Sequence, residues 1–278
     1  MSKHRATNLL GKAALYLLLT IAAVIILFPL YTGLVTSLLT GQNLDTYPPK
    51  LFPVDFEWQN YVAALKMAPL PRFVFNSFVQ SFSVMVSQLV LASLAAFAFA
   101  FLQFRGKQFI FIVFLSTMMI PWEATIIPNY LFIQKIGWDD TYLGLMAPFM
   151  ATAFGTFLIR QFFMSLPRDL YDAAIIDGCS NFRFLATIAT PLARPALGTL
   201  AVYSFLQTYN QYLWPLLITN STNMRTVQIG IRMLQEFERE AWNVVMAGVI
   251  MVMLPTLILF IVANRQLIRG LTAGALKG

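Results

Sequence analysis

The 278-residue sequence contains one cysteine, Cys179, and one histidine, His4, and only 11% of its residues are charged. A lone cysteine closes no intrachain disulfide and builds no thiolate metal site. With a single histidine as well, zinc motifs, a Cys/His or Ser/His/Asp triad, and haem or iron–sulfur ligation lie beyond the chain's own side chains. A Walker A loop is also missing: Gly11-Lys12 and Gly106-Lys107 lack the upstream glycine and the following Ser or Thr that cradle a phosphate. Any nucleotide chemistry therefore belongs to a partner. Low-complexity segments and internal repeats are absent too, which counts against an inverted-repeat transporter.

What the chain has is apolar surface. Hydrophobic residues make up 58% of it, against roughly 45–50% in soluble domains, where about a quarter of residues are charged. Lipid is the solvent, and the fold class is an all-α integral membrane protein. Six stretches approach the roughly 20 residues needed to cross a bilayer: 13–39, 76–102, 109–134, 143–159, 198–218 and 243–264. Each reads as a helix, because isolated spanning backbone must satisfy its own hydrogen bonds. The first is too long for a signal-peptide core of about 7–15 residues and reads as an uncleaved span, bent at Pro29. The expected organisation is an N-terminal segment 1–12, the first span, an outer loop 40–75, a five-span core 76–265 and a tail 266–278.

A net charge of +7 and a pI near 9.6 first suggest a nucleic-acid partner. Sorting the charges by side removes it. One set of connections holds Lys3, Arg5, Lys12, Arg105, Lys107, Arg160, Arg168, Arg183, Arg194, Arg265, Arg269 and Lys277 against only Asp169, Asp172 and Asp177. On the other side seven basic residues nearly balance eight acids, with Glu123 left inside a span. By the positive-inside rule both termini are cytoplasmic. The outer stretch TYPPKLFPVDFEWQNY (46–61) reads as an ordered loop with rings near the interface, and a second outer stretch carries the charged run QEFERE (235–240).

The longest inner connection, 165–195, is the informative one, since long loops in compact domains are usually functional. Pro167 and Asp169 suit the start of a short helix, and Gly178 suits its left-handed stop. Ser180 or Asn181 caps a second helix, which runs to about Thr190 before Pro191 and Pro195 redirect the chain. Ala173, Ala174 and Ile176 make a small apolar surface beside Asp172, suited to close docking of another protein.

The segment DAAIIDG (172–178), followed nine residues later by Ile188 and then Pro191, resembles the EAA loop of ABC importer permeases. Ala173, Ala174, Gly178, Ile188 and Pro191 match; Asp172 stands where Glu is usual and Thr190 where Leu is usual. The shorter arm of Asp172 keeps the charge and shifts any ion pair it makes; Thr190 alters packing. Four further segments extend the likeness: IPWEATIIPNYLFIQ, FGTFLIRQFFMSLP, NQYLWPLLIT and the tail RGLTAGALKG. The chain is similar to the carbohydrate-importer branch, which includes maltose-type and glycerol-phosphate permeases. That resemblance implies a type I importer fold and a heterodimer with a homologous permease. It also implies an extracytoplasmic substrate-binding protein and two ATP-binding subunits that hold ATP and magnesium, while this chain binds no cofactor. The first loop helix is then the coupling helix, with Asp172 and Asp177 as acidic contacts and Gly178 as the turn. The cargo implied is a sugar or oligosaccharide, with glycerol 3-phosphate as the alternative, in a bacterial or archaeal cytoplasmic membrane.

Two further groups carry open readings. Glu123 is an ionisable group within a span, hence a substrate-path candidate; alternatively it pairs with a neighbouring helix or sits at a break made by Pro121 and Pro128. Tyr209, Asn210, Gln211, Tyr212 and Trp214 offer rings and amides suited to a polyol, or equally to interhelical packing and interfacial anchoring. A stand-alone secondary transporter would show more intramembrane charge than Glu123 alone, and a membrane enzyme would need a constellation these residues do not supply.

Overall fold

A computed structural model describes residues 2–44, 46–237 and 241–273, with side chains over 11–44, 46–236 and 241–261. Among the described residues every regular element is helical: α1 (Ser2–Ser37), α2 (Gly41–Leu44), α3 (Gln59–Met67), α4 (Leu70–Ala100), α5 (Lys107–Ser116), α6 (Trp122–Lys135), α7 (Tyr142–Met146), α8 (Ala153–Ser165), α9 (Arg168–Ile176), α10 (Asn181–Phe184), α11 (Thr190–Leu192), α12 (Arg194–Tyr209), α13 (Leu213–Ile218), α14 (Val227–Phe237) and α15 (Trp242–Ala273). The end of QEFERE, residues 238–240, and the tail from residue 274 on lie outside the described residues. The chain divides into two compact units, Met1–Leu70 with Ile231–Met253, and Pro71–Gly230 with Leu254–Gly278.

In the first unit α1 continues through Pro29 as one helix, so the proline does not interrupt it. Its side chains are exposed from Gly11 to Tyr31 apart from Ala22, and burial starts only at Val35. There the free carbonyls at its end are collected by two buried amides. Asn60 donates to the carbonyls of Ser37 and Leu39, and Asn243 donates to Leu39 O at 3.0 Å and to Asn60 Oδ1 at 3.1 Å. The loop after α2 is ordered around Asp55, whose carboxylate accepts from Asn43 Nδ2 at 2.6 Å and from the Thr40 hydroxyl and N–H. These bonds, Asn43 first, hold the Asp55 carboxyl below its ordinary value. At Gly248 a Cβ would lie 2.3 Å from Leu234 Cδ1, so any larger residue would have to displace the buried Leu234 side chain.

The second unit shows why six spans are not six rods. Three helices are long and apolar enough to cross a membrane as they stand, over Gly11–Ser37, Leu70–Ala100 and Trp242–Ile261; the other crossings are bent pairs. The third expected span breaks by 96° between α5 and α6, where Pro121 forces extended backbone on Ile120. The fourth bends by 48° between α7 and α8, with Thr141 and Thr152 capping the two starts. The expected fifth span, 198–218, is divided between α12 and α13, and α12 meets α10–α11 at 82°.

Broken helices leave orphan backbone groups, and α4 supplies the partners. Asn76 donates to the carbonyls of Asn223 and Arg225 at 2.7 and 2.8 Å and accepts from the Tyr142 hydroxyl. Ser77 accepts from Val227 N–H; Gln80 donates to Leu145 O and to Gln211 Oε1; Gln88 donates to Phe149 O, and Ser87 to Met150 O. Positions 76, 80 and 88 follow an i, i+4 row along one face.

Candidate functional site

The segment 165–195 forms two linked helical pieces on an aromatic base. Helix α9 starts after Pro167, with Asp169 in its first turn. It stops by the two hydrogen bonds of a Schellman motif: Gly178 N–H to Ile175 O at 3.0 Å and Cys179 N–H to Ala174 O at 2.9 Å. Gly178 has φ +76°, and nothing lies within 4 Å of where a Cβ would stand. The glycine is demanded by backbone conformation alone.

Ser180 caps the second piece by accepting from Arg183 N–H. That piece runs two residues past the expected end near Thr190. It widens into a π turn over Leu185–Ala189, which accommodates Pro191, and runs on to Leu192 before the chain turns at Ala193.

Helix α9 is held to its own unit by Tyr171, whose ring lies 5.1 Å from those of Phe101 and Phe184 and whose hydroxyl donates to Asn181 Oδ1 at 2.7 Å. Ala174 is buried in the same core, with Phe97, Phe101, Phe163 and Phe184. This corrects the expected docking surface: Ala174 faces inward because the helix needs a small residue against the aromatics. Ile188 also packs on that core, and Pro191 is half-buried. The outward edge consists of Asp172, Ala173, Ile176 and Asp177, with Ile176 85% exposed. Sequence reasoning missed Tyr171 and its three phenylalanines; the signal available was an aromatic two residues before the small pair.

The other expected site residues separate. Trp214 is buried, donating its indole N–H to Gly144 O at 3.1 Å, with Trp122 edge-on at 5.7 Å. Tyr209 is buried and stacked on Phe205. Both are therefore packing elements of the helix break, not cavity-lining groups. Gln211 is half-buried and bonded to Gln80, while Asn210 and Tyr212 are exposed; Asn210 accepts from Gln228 Nε2 at 3.3 Å. Tyr203 and Gln207, which the sequence reading overlooked, are exposed on α12 ahead of Asn210 at its C-terminal cap, and Gln207 Nε2 donates to the Tyr203 hydroxyl at 3.1 Å. Their i, i+4, i+7 spacing was legible. Glu123 is exposed in the first turn of α6, directly after Pro121, and its carboxylate has no hydrogen-bond or ion-pair partner among the described residues. Of its structural alternatives, the position at a helix break holds for Pro121, while Pro128 lies inside α6 without breaking it, and the carboxylate is unpaired among the described residues.

Bent and continuous apolar helices long enough to cross a bilayer define a multi-pass helical membrane protein. The chain belongs to the family of binding-protein-dependent transport system inner membrane components, whose model matches residues 61–271. It is a transport component rather than an enzyme. It is 35% identical over 280 residues to the sn-glycerol-3-phosphate transport system permease protein UgpE of Brucella abortus (strain 2308), covering 98% of each chain. To the protein of the same name from Yersinia enterocolitica it is 36% identical over 264 residues, covering 92% of this chain and 94% of the relative. Its fold matches a chain in the crystal structure of a bacterial ABC transporter involved in import of the acidic polysaccharide alginate. There the TM-score is 0.81 at 23% identity, over 92% of this chain and 96% of that one.

Proposed function

We propose that the chain forms half of the translocation pathway of an ATP-driven importer, paired with a homologous permease and supplied by a substrate-binding protein outside the cell. Of two ATP-binding subunits, which hold the ATP and magnesium, one docks on α9. Both termini face the cytoplasm of a bacterial or archaeal cell, a reading supported by the one-sided surplus of Lys and Arg. The observation that carries the coupling role is the geometry of α9: an exposed edge of Asp172, Ala173, Ile176 and Asp177 on a helix fixed from behind by Ala174 and Tyr171. A helix held in this way transmits displacement to α10–α12 instead of swinging freely.

Gly178 is the test. A β-branched residue at φ +76° costs roughly 1–2 kcal/mol and deforms the stop. In the reconstituted transporter Gly178→Val is expected to lower uptake about tenfold and to abolish stimulation of ATP hydrolysis by loaded binding protein. Gly178→Asn, which tolerates the left-handed region, retains most of both. Normal uptake by Gly178→Val overturns the coupling role.

The cargo is a sugar or oligosaccharide. Tyr203, Gln207 and Asn210 supply a ring and neutral amide groups, exposed along α12 and its C-terminal cap, the chemistry that grips hydroxyl groups. Glycerol 3-phosphate is the second reading, favoured by the cargo named for the relatives. Thermal-shift screening of the cognate binding protein with both classes decides between them.

A further inference from the structure

At the end of α4 three cations converge without an acid. Lys107 donates to Leu102 O at 2.8 Å and to Ala100 O at 3.4 Å. Arg160 donates its Nε–H to Phe99 O at 3.2 Å, with its guanidinium 4.1 Å from the Phe111 ring centroid. Arg168, at the start of α9, lines a cavity of about 180 Å³ with Phe101, Phe163 and Leu166. Ala100, whose carbonyl accepts from Lys107, lines that same cavity.

The carbonyl contacts explain why Lys107 and Arg160 sit where they do, since cations favour a helix C-terminus. They do not use up the charge. Lys107 spends two of three donors and Arg160 one of five. Among the described residues the one ion pair is Arg232 with Glu236, so no carboxylate neutralises any of the three. Lys107 and Arg160 are half-buried and Arg168 is exposed; half-buried cations kept close to a third without a counterion are costly unless an anion from outside completes them.

We propose that Lys107, Arg160 and Arg168 bind the phosphate of an anionic phospholipid. The neighbouring surface selects lipid over a soluble anion: Phe104, Phe109, Ile110 and Ile112, close in sequence to Lys107, expose apolar side chains that acyl chains can cover. The leaflet, the inner one, rests on the orientation proposed above; the binding itself does not. Because α9 begins at Arg168, an occupied site steadies the base of the helix that carries the exposed edge.

The test uses the full chain purified in detergent, with lipid occupancy read by native mass spectrometry and stability by thermal melting. Dioleoyl phosphatidylglycerol is compared with dioleoyl phosphatidylcholine and with inorganic phosphate. Phosphatidylglycerol is expected to be retained in preference to phosphatidylcholine and to raise the melting temperature. Arg168→Gln, which removes a side chain without intramolecular hydrogen bonds, is expected to lower occupancy roughly fivefold, and Lys107→Gln/Arg168→Gln more than tenfold. Equal retention by wild type and the double variant overturns the proposal. So does equal stabilisation by inorganic phosphate, which points to a soluble anion. A double variant that keeps the lipid yet loses copurifying ATPase assigns the cations to a protein contact instead, and likewise overturns it.

Discussion

Helices α1 and α4 are both long, uninterrupted and apolar enough to cross a bilayer, yet they are built for different surroundings. From Gly11 to Tyr31, α1 presents aliphatic and aromatic side chains on every side and buries almost none of them within this chain. α4 buries Asn76, Ser77 and Gln80 completely. The difference teaches what polar residues in a span are for here. They do not mark a path; they supply hydrogen-bond partners for backbone groups released by breaks elsewhere. A span without such residues, as in α1, has no broken neighbour to serve and is left to lipid or to another chain.

Removing Asn76 is the hardest test of this contrast. It makes three bonds, to Asn223 O, Arg225 O and the Tyr142 hydroxyl. At roughly 0.6 kcal/mol for an average intramembrane hydrogen bond, Asn76→Leu is expected to cost about 2 kcal/mol in detergent unfolding of the chain. Leu19→Ala in α1, where the side chain is 53% exposed, should stay within about 0.5 kcal/mol of wild type. Equal losses from the two substitutions would erase the distinction between the helices. A finer test is Gln80→Met, which keeps the volume but gives up the bonds to Leu145 O and Gln211 Oε1. It is expected to cost about 1 kcal/mol, half the effect of Asn76→Leu; an effect as large would mean that shape and not bonding holds this face.

Much of this was legible in the sequence because it follows from local rules. Six apolar stretches, the stop at Gly178 and the cap at Ser180 depend on composition and on residues a few positions apart. What stayed hidden depends on partners distant in the chain. Nothing near Ala174 tells that Phe101 and Phe184 cover it, so a small residue read as a docking face proved to be a core contact. Trp214 suited a sugar platform and helix packing equally until Trp122, almost a hundred positions away, stood edge-on to it. Pro191 signalled a break correctly in kind but not in place, since a π turn absorbs it and the chain bends at Ala193. Which polar residues in a span are staples and which are exposed is likewise a long-range property, and only the paired carbonyls decide it.

Asp140 repeats the α4 device outside the spans, between α6 and α7. Its φ of +53° turns its N–H onto Ile218 O at 2.8 Å, and its carboxylate accepts from the backbone N–H groups of Asn220 and Ser221 at 2.9 and 3.0 Å. Burial pushes its carboxyl upward, but the bonds from Ser221 and Asn220 outweigh it and hold the pKa below the ordinary 3.8. A folded-state pKa that is depressed adds stability in full above the ordinary value, and that stability is lost as pH falls through the folded one. Compared with Asp140→Asn, the wild type is therefore expected to be more stable by a constant margin at neutral pH, and the margin should close only below about pH 3.8. Water screens the site, so the margin stays under about 1 kcal/mol, smaller than the intramembrane losses. Melting curves of the two proteins between about pH 7 and pH 3 measure it. A margin that widened on acidification would mean the carboxylate is repelled in the fold rather than held by it, and the parallel with Asn76 would fail.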